Sequence, residues 1–419
     1  MTDHEATGAI ADRVAQEVRA FYDLHPYPPP VESLEGYRQR WNDDRRRADV
    51  HLFWPDATYR DDRTILVAGC GTSQAAKYAL RWPRAKVTGI DVSEMSIEKT
   101  ELLKRKYGLD NLDVIQLPLE RAAELGCKFE YVVCTGVLHH LSDPDAGLRA
   151  LRDVLEPDGA MHVMVYAPYG RAGVYLLQQY CRRLGIGPSS KEIKELTASL
   201  KALPPDHPLV PLLRSAPDLR NEAALADALL HPQDRAYSVP QLLDFLAAGG
   251  FRFGRWIRQA GYLPQCGGLA SAPHRPLLTR LPAEEQYAVV ELFRGSMVRH
   301  SAVAYRDDRP NHEAVNFNGD RWLGYVPIRV PDTICIQEKL PPGAAAALIN
   351  PNHTYADIYL PIDAQQKKLF DAIDGKRSIG EIASQDSLRD AARVLFEGLW
   401  WYDQVVFDAS RCRARREEA

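Results

Sequence analysis

Short apolar runs alternate with helical and turn patterns through the first half of the chain. Five such runs cover residues 65–68, 86–90, 112–115, 131–134 and 160–166. This alternation of strand, turn and helix is what a doubly wound parallel sheet requires. Residues 251–257 predict a sixth strand, and residues 300–305 alternate like a final antiparallel strand. We therefore predict an α/β fold with a seven-stranded, mostly parallel sheet.

The turn after the first run carries two glycines, and the second run ends in a carboxylate. Gly69 and Gly71 remove Cβ atoms where the backbone turns tightly, and Asp91 follows about 20 residues later. A carboxylate at this position can accept hydrogen bonds from both hydroxyls of a ribose. Ser93 and Gly108 are then expected to cap a helix that lies between them. The βαβ unit predicts an adenosine site at the carboxyl ends of the strands.

The glycine motif departs from that of dinucleotide-binding proteins. Gln74 stands where a pyrophosphate cradle would need a third glycine, which argues against NAD or FAD. S-adenosylmethionine (SAM) has an adenosine but no phosphate, so it needs only the turn and the acid. The stretch resembles the class I SAM-dependent methyltransferases, although Val67 and Ser73 replace an acid and a glycine that are frequent there. The alternative is a degenerate nucleotide-like fold that binds nothing.

The resemblance implies which residues contact the cofactor. Besides the glycine turn and the ribose acid, the end of the third strand would flank the adenine; its usual acid is absent, and Glu120 is a further possibility. Two tyrosines of the N-terminal segment would complete the site. The expected cofactor contacts are Ala68, Gly69, Cys70, Gly71, Gln74, Asp91, Val92, Leu117, Pro118, Leu119, Thr135, Tyr22 and Tyr27.

The N-terminal segment predicts a cap over this site. Apolar residues recur at helical spacing over residues 10–22, beginning with Ile10, and a proline run at residues 26–30 then forces an extended segment. In many class I methyltransferases such a cap folds over the SAM site. Tyr22 and Tyr27 are the candidate lid contacts, and the alternative is that they only pack the cap onto the sheet.

A long helical insertion follows the fifth strand, at about residues 170–235. An insertion at this place lies at the ligand edge of the sheet, so we expect it to build the acceptor pocket, with an interface as the alternative. Tyr166, Tyr169 and Arg171 are the candidate substrate contacts.

Two histidines follow the fourth strand, where the resembled family places residues beside the transferable methyl group. Histidine titrates near neutrality and can take a proton from a hydroxyl or an amine. His139 and His140 are therefore the candidate catalytic bases, and the alternative is a structural role in the turn.

The C-terminal part predicts a separate small α+β domain. Residues 325–338 and 355–360 are predicted strands, residues 364–373 a helix, and Ser378 with Glu381 forms a capping box. Short helices followed by a strand at residues 405–407 favour a winged-helix-like module. The predicted domains are a lid at residues 1–60, a methyltransferase domain at 61–310 and this module at 311–419.

The composition limits the kinds of partner that the protein is expected to bind and the compartment in which we expect it. The 419 residues are 45% hydrophobic and 26% charged, with a net charge of -4, which describes a globular protein without the basic field that nucleic-acid binding needs. The seven cysteines lack C-x-x-C spacing, so neither a metal site nor a disulfide framework is expected. With no apolar run of membrane length and no signal segment, we expect a cytoplasmic protein, with a homodimer as one option.

These observations predict a SAM-dependent methyltransferase that acts on an oxygen or nitrogen of a small-molecule acceptor and releases S-adenosylhomocysteine. The first alternative is a protein or peptide methyltransferase whose C-terminal domain recruits the substrate. The second is a SAM-binding protein without turnover.

Overall fold

The computed structural model describes residues 3–215, 221–309 and 314–412. The chain divides into two compact units, each built from three stretches. The first unit combines Met1–Arg40, Asp62–Phe253 and Arg294–Asp308, and the second combines Trp41–Asp61, Gly254–Phe293 and Arg309–Ala419. This division differs from the predicted one, because residues 41–61 group with the C-terminal residues and not with the lid. The predicted boundary at residues 310 and 311 lies outside the described residues.

A seven-stranded sheet organises the first unit. Its strands are β1 (Thr64–Ala68), β2 (Lys86–Asp91), β3 (Leu112–Gln116), β4 (Phe129–Thr135), β5 (Leu155–Tyr166), β6 (Phe251–Trp256) and β7 (Arg299–Arg306). The order across the sheet is β3-β2-β1-β4-β5-β7-β6. The pairs among β1 to β5 are parallel, and β7 pairs antiparallel with β5. The predicted α/β fold class is confirmed, including the antiparallel strand.

Helices connect the strands of this unit, and sequence signals mark their ends. The helices before β6 are α1 (Asp3–Leu24), α2 (Glu35–Arg40), α4 (Gln74–Arg81), α5 (Glu94–Tyr107), α6 (Pro144–Val154), α7 (Ala172–Leu184), α8 (Ser190–Leu200), α9 (Val210–Ser215), α10 (Glu222–Leu230) and α11 (Val239–Ala248), with α3 (Asp43–Phe53) belonging to the second unit. The Ser93 side chain accepts from the Ser96 N–H at the start of α5, and Gly108 ends that helix with φ 59°. Both predicted caps are confirmed.

The N-terminal helix α1 is longer than the predicted 10–22. Val18 and Phe21 are buried on it, and the helix ends before His25, ahead of the proline run. The side chain of Ile10 lies outside the described part of the chain. The helical insertion comprises α7 to α10, and its apolar residues, among them Leu177, Leu196 and Leu229, form a core together with Phe21 of α1.

The second unit contains two small antiparallel sheets. Its strands are β8 (Val326–Arg329), β9 (Ile334–Ile336), β10 (Ala346–Ile349), β11 (Leu360–Ile362) and β12 (Val405–Asp408), and its remaining helices are α12 (Arg275–Leu278), α13 (Ala283–Arg294), α14 (Ala364–Asp371), α15 (Ile379–Ile382) and α16 (Arg389–Trp401). The strands form a β11-β10-β9 sheet and a β12-β8 pair. The winged-helix-like interpretation is not confirmed. The last strand, β12, pairs with β8 from the beginning of the C-terminal segment and not with a strand close to it in the sequence.

Two strand predictions in this unit are corrected. The predicted strand 325–338 is broken, because Pro331 cannot donate to a ladder and the Thr333 N–H turns back to the Val330 carbonyl at 3.0 Å. The predicted strand 355–360 is largely a turn, closed by the Ile358 N–H on the Tyr355 carbonyl at 3.2 Å. The capping box is confirmed at the start of α15.

Among the described residues, no helix combines the length and the apolar character needed to cross a membrane.

Candidate active site

The glycine turn after β1 is fixed by conformation and by close packing. Gly69 and Gly71 have φ values of 69° and 53°, in the left-handed region. A Cβ atom on Gly69 would lie 2.2 Å from Cγ2 of Val137, and one on Gly71 would lie 2.9 Å from Cδ of Pro28 and from the Tyr27 carbonyl oxygen. The turn therefore requires glycine at both positions, and the extended segment after α1 packs directly on it.

Asp91, at the end of β2, binds two backbone turns. Its Oδ2 accepts from the Gly71 N–H at 2.8 Å, and its Oδ1 accepts from the Ser93 N–H at 2.9 Å. Burial raises the pKa of Asp91, although these backbone bonds oppose the shift. Each carboxylate oxygen has a further lone pair, so the pair can still accept from two hydroxyls.

A cavity of about 260 Å³ lies at the carboxyl ends of β1 to β5. Most of the residues predicted from the sequence line it. Those that line it are Tyr22, Tyr27, Gly69, Gly71, Gln74, Asp91, Val92, Leu117, Pro118, Leu119, Thr135, His140 and Tyr166. Those that do not are Ala68, Cys70, His139, Tyr169 and Arg171. The cavity also has two charged residues that no sequence motif singles out, Asp227 and Arg299.

The N-terminal segment is fastened over the cavity by side chains of the sheet edge. Thr72 Oγ1 donates to the Pro28 carbonyl oxygen at 2.7 Å, and Ser93 Oγ donates to Asp23 Oδ1 at 2.8 Å. Tyr22 and Tyr27 of this segment both line the cavity. Both tyrosines therefore lie at the cavity, and the role of the segment as a lid stays a prediction.

Asp227, on α10, is the buried carboxylate of the cavity. Its Oδ1 accepts from the Tyr22 hydroxyl at 3.1 Å, and its Oδ2 accepts from the Tyr166 hydroxyl at 3.2 Å. The residue is 3% exposed, and burial raises its pKa. A signal existed in the sequence: this acid stands within the apolar run Ala223 to Leu230, where the helix has no polar face to carry it.

The backbone of Gln233 fixes the tautomers of two histidines in opposite senses. Its carbonyl oxygen lies 2.7 Å from Nδ1 of His140, so that nitrogen must carry the hydrogen and Nε2 is left as a proton acceptor. Its N–H donates to Nδ1 of His231 at 3.1 Å, so the hydrogen of His231 is on Nε2. Burial lowers the pKa of His231 well below the ordinary value, which keeps this ring neutral.

His139 is placed differently from His140. It is fully buried, and its ring centroid is 4.2 Å from that of His140 and 4.1 Å from that of Tyr166. Burial, followed by the charge of His140, lowers the pKa of His139 well below its ordinary value. Of the two predicted histidines, the one that lines the cavity is His140.

Among the described residues there are two groups of histidine and aspartate side chains whose possible metal-ligand atoms lie within 4.8 Å of one another. They are His139, His140 and Asp234, and His140, Asp227 and His231. A metal on His231 Nε2 would displace the hydrogen that the Gln233 N–H forces onto that nitrogen. Asp234 Oδ2 already accepts from Arg171 at 3.1 Å and from Gln178 at 2.9 Å. The hydrogen bonds therefore suit proton transfer better than metal coordination.

Two of the three candidate substrate contacts do not reach the cavity. Tyr169 is 40% exposed to solvent. Arg171 is buried, forms an ion pair with Asp234, and stacks over the ring of Tyr166 with Cζ 3.6 Å from the centroid. The stacking positions the ring of Tyr166. The charge of Arg171 is neutralised by Asp234 within the insertion, so it is not available to a substrate.

Sequence comparison identifies the same segment. The profile of a family described as a methyltransferase domain matches residues 66–161, which span the glycine turn, Asp91 and the histidine pair. The chain contains a class I SAM-dependent methyltransferase domain. SAM is the cofactor of this methyltransferase domain, and the binding of its adenosine by the glycine turn and Asp91 stays a prediction.

Relatives of the methyltransferase chain are distant. The uncharacterised protein syc1184_c of Synechococcus sp. is 28% identical over 333 residues, covering 77% of this chain and 78% of that protein. A ubiquinone biosynthesis O-methyltransferase of Acinetobacter baumannii is 25% identical over 140 residues, and the match covers 33% of this chain and 54% of that enzyme. The chain thus spans about half the length of that enzyme.

The fold of the methyltransferase chain also occurs in a solved structure. PKMT2 from Rickettsia typhi superposes with a TM-score of 0.63 at 16% identity, covering 91% of this chain and 77% of that one. Its complex with AdoHcy gives a TM-score of 0.62. The similarity is one of fold.

Proposed function

We propose that the chain methylates a hydroxyl oxygen of a small-molecule acceptor, with His140 as the proton acceptor. The observation that carries the proposal is the 2.7 Å contact between His140 Nδ1 and the Gln233 carbonyl oxygen. It fixes the ring with Nε2 free to accept a proton, in a residue that lines the cavity. Thr135 of the adjacent strand end lines the same cavity, and the buried carboxylate of Asp227 is close by.

Cofactor contacts follow from the lining. Asp91 would hold the ribose hydroxyls, residues 117–119 would contact the adenine, and the glycine turn would let the cofactor approach the backbone. Gln74 Nε2 donates to Thr135 Oγ1 at 2.7 Å, so its side-chain oxygen is oriented away from that bond. This oxygen can accept from the amino group of the methionine moiety, in place of the acid that Val67 replaces.

The reaction needs alignment and one proton transfer. Bound SAM would supply the methyl group: the acceptor oxygen would form the new bond to carbon, and the electron pair of the broken carbon–sulfur bond would stay with S-adenosylhomocysteine, the leaving group. His140 Nε2 takes the hydroxyl proton, and the Asp227 carboxylate lies close to this ring. Tyr22 and Tyr166 hold the Asp227 carboxylate in place. Base catalysis of this kind contributes about 10²–10⁴-fold, and positioning contributes the larger share.

The experiment compares two adjacent histidines. The full chain is incubated with [methyl-³H]SAM and a panel of phenols, alcohols and amines, and the wild type is compared with His140→Phe and His139→Phe. We expect label on hydroxyl compounds, a fall in kcat of about 10²–10⁴-fold in His140→Phe with unchanged S-adenosylhomocysteine affinity, and near-normal turnover in His139→Phe. Label on amines, or full turnover in His140→Phe, would contradict the proposal.

The second candidate, methylation of a protein or peptide, has less support. The described residues that line the cavity all belong to the first unit, so the proposed reaction needs no substrate recruitment by the second unit. Transfer of label to proteins of a denatured extract, with none to the compound panel, would favour this candidate instead.

A further inference from the structure

Arg299 is an unpaired cation at the cavity. It is the first residue of β7, it is exposed, and it lines the cavity. Within the described parts of the chain its side chain has neither an ion pair nor a hydrogen bond, and the described lining contains no other lysine or arginine. Two other arginines of the same unit, at the opposite end of β7, are paired: Arg152 with Asp307 at 2.9 Å, and Arg306 with Asp308 at 2.6 Å.

The strand order sets Arg299 on the acceptor side of the site. Because β7 runs antiparallel to β5, its first residue lies at the carboxyl edge of the sheet, opposite Tyr166 in register. Three strand spacings of about 4.8 Å separate β7 from β1, so Arg299 lies about 14 Å along the edge from the glycine turn. The expected cofactor contacts occupy β3, β2, β1 and β4, and β5 and β7 remain for the acceptor.

The backbone around Arg299 is held firmly. The Ala167 N–H donates to the Val298 carbonyl at 3.1 Å, and the Gly170 N–H donates to the Met297 carbonyl at 2.9 Å. A Cβ atom on Gly170 would lie 2.4 Å from that Met297 oxygen. The backbone of Arg299 is thus fixed at a strand end that borders the cavity, while its long side chain can move the guanidinium.

We propose that the acceptor carries an anionic group, a carboxylate or a phosphate, which Arg299 binds. The proposal rests on the proposed function, which puts the reacting hydroxyl at His140. The planar guanidinium fork matches two oxygens of a carboxylate or phosphate. The buried carboxylate of Asp227 repels an anion from the inner end of the cavity, so the acceptor lies with its hydroxyl inward and its anion at Arg299.

The test uses three ligands that share one phenolic hydroxyl: phenol, 4-hydroxybenzoate and 4-hydroxyphenyl phosphate. Each is titrated calorimetrically into the full chain saturated with S-adenosylhomocysteine. The variants are Arg299→Gln, Arg299→Lys and the control Arg149→Gln, which removes an exposed arginine of α6 away from the lining.

We expect the wild type and Arg149→Gln to bind one of the two anions at least about tenfold more tightly than phenol. Arg299→Gln should remove this preference, and Arg299→Lys should retain part of it. Which anion is preferred separates a carboxylate from a phosphate acceptor.

Three results would overturn the inference. One is equal binding of all three ligands, or binding of none, by the wild type. Another is a preference that survives in Arg299→Gln. The third is a loss of S-adenosylhomocysteine affinity in Arg299→Gln as large as the loss of anion affinity, which would assign the guanidinium to the methionine carboxylate. Failure of the proposed function is seen separately, as label on amines in the panel with tritiated SAM.

Discussion

The hydroxyl of Tyr22 and the carboxylate of Asp227 are joined at 3.1 Å although 205 residues separate them in the chain. Tyr22 belongs to the lid helix α1 and Asp227 to the insertion helix α10, so this bond connects the two elements that cover the strand ends. With Tyr166 on the other oxygen, the buried carboxylate has a phenolic donor on each side.

Removing one of these tyrosine hydroxyls should destabilise the fold strongly only while the Asp227 carboxylate is present. We expect Tyr22→Phe to lower the free energy of unfolding by about 1.5–3 kcal/mol, because a charged acceptor loses a buried partner. In an Asp227→Leu background the same change should cost much less. Urea unfolding of the four proteins measures the coupling. Tyr180→Phe, which alters a half-exposed tyrosine of α7, is the control, and equal costs in both backgrounds would contradict the bond.

Gly69 can be compared with a glycine of similar conformation and open surroundings. Gly126 has φ 65° and no atom within 4 Å of the place where a Cβ would lie, whereas Gly69 has φ 69° and the Val137 methyl at 2.2 Å. We expect Gly126→Ala to cost about 1–2 kcal/mol from the left-handed backbone alone. Gly69→Ala should cost about 1–3 kcal/mol more through overpacking and should also weaken binding of S-adenosylhomocysteine. Thermal unfolding and calorimetry measure the two effects, and similar losses for both variants would disprove the packing argument.

Asp91→Asn should weaken S-adenosylhomocysteine binding by about 10–100-fold, since charged hydrogen bonds to the ribose are lost. Asp113→Asn, on the exposed side of β3, should bind normally. Burial raises the pKa of Asp91, so its carboxylate is protonated at a higher pH than an ordinary aspartate. Wild-type affinity should therefore decline on acidification from that higher pH, while the affinity of Asp91→Asn should stay flat. Calorimetric titrations across pH decide this, and normal binding by Asp91→Asn would exclude the ribose role.

The buried imidazoles should make the fold sensitive to acid. The pKa of His139 lies well below the unfolded value of 6.5, so below pH 6.5 the unfolded chain binds a proton that the native chain does not. Stability then falls as the pH decreases, by up to about 1.4 kcal/mol per pH unit for each such histidine. Asp227, whose pKa is raised, acts in the opposite sense at lower pH.

His139→Phe should reduce this slope by the share of one proton, and His231→Phe should reduce it to a similar extent. The measurement is the free energy of unfolding from pH 7 to pH 5 for both variants and the wild type. If both variants keep the wild-type slope, the two rings bind protons in the native state as readily as in the unfolded chain, and the prediction is wrong.

Local signals made the central part of the first unit predictable. The strands, the caps of α5 and the glycine turn each depend on a few consecutive residues, and the alternation of strands with helices predicts a mostly parallel sheet. The cofactor side of the cavity therefore contains most of the residues expected there. The sequence did not predict β10, because the alanines at its start have a low strand propensity. It forms a strand because it pairs with both β9 and β11.

The acceptor side depended on contacts between distant segments. Asp227 comes from the insertion and Arg299 from the start of the last strand, and neither has a neighbouring residue that marks a site. Arg171 was expected at the substrate, but the sequence did not reveal Asp234 as its ion-pair partner, 63 positions away. The division into units was hidden for the same reason, since each unit draws on three separate stretches. Truncation after residue 310 would consequently divide the second unit, and the role of its C-terminal part has to be tested in the full chain.

The histidine geometry makes no use of the Gln233 side chain. Every amino acid has a backbone carbonyl, and every one except proline has the N–H as well. Position 233 can therefore vary among relatives without altering the tautomers of His140 and His231, provided that proline is avoided. A search for invariant side chains would pass over a position on which the proposed proton transfer depends.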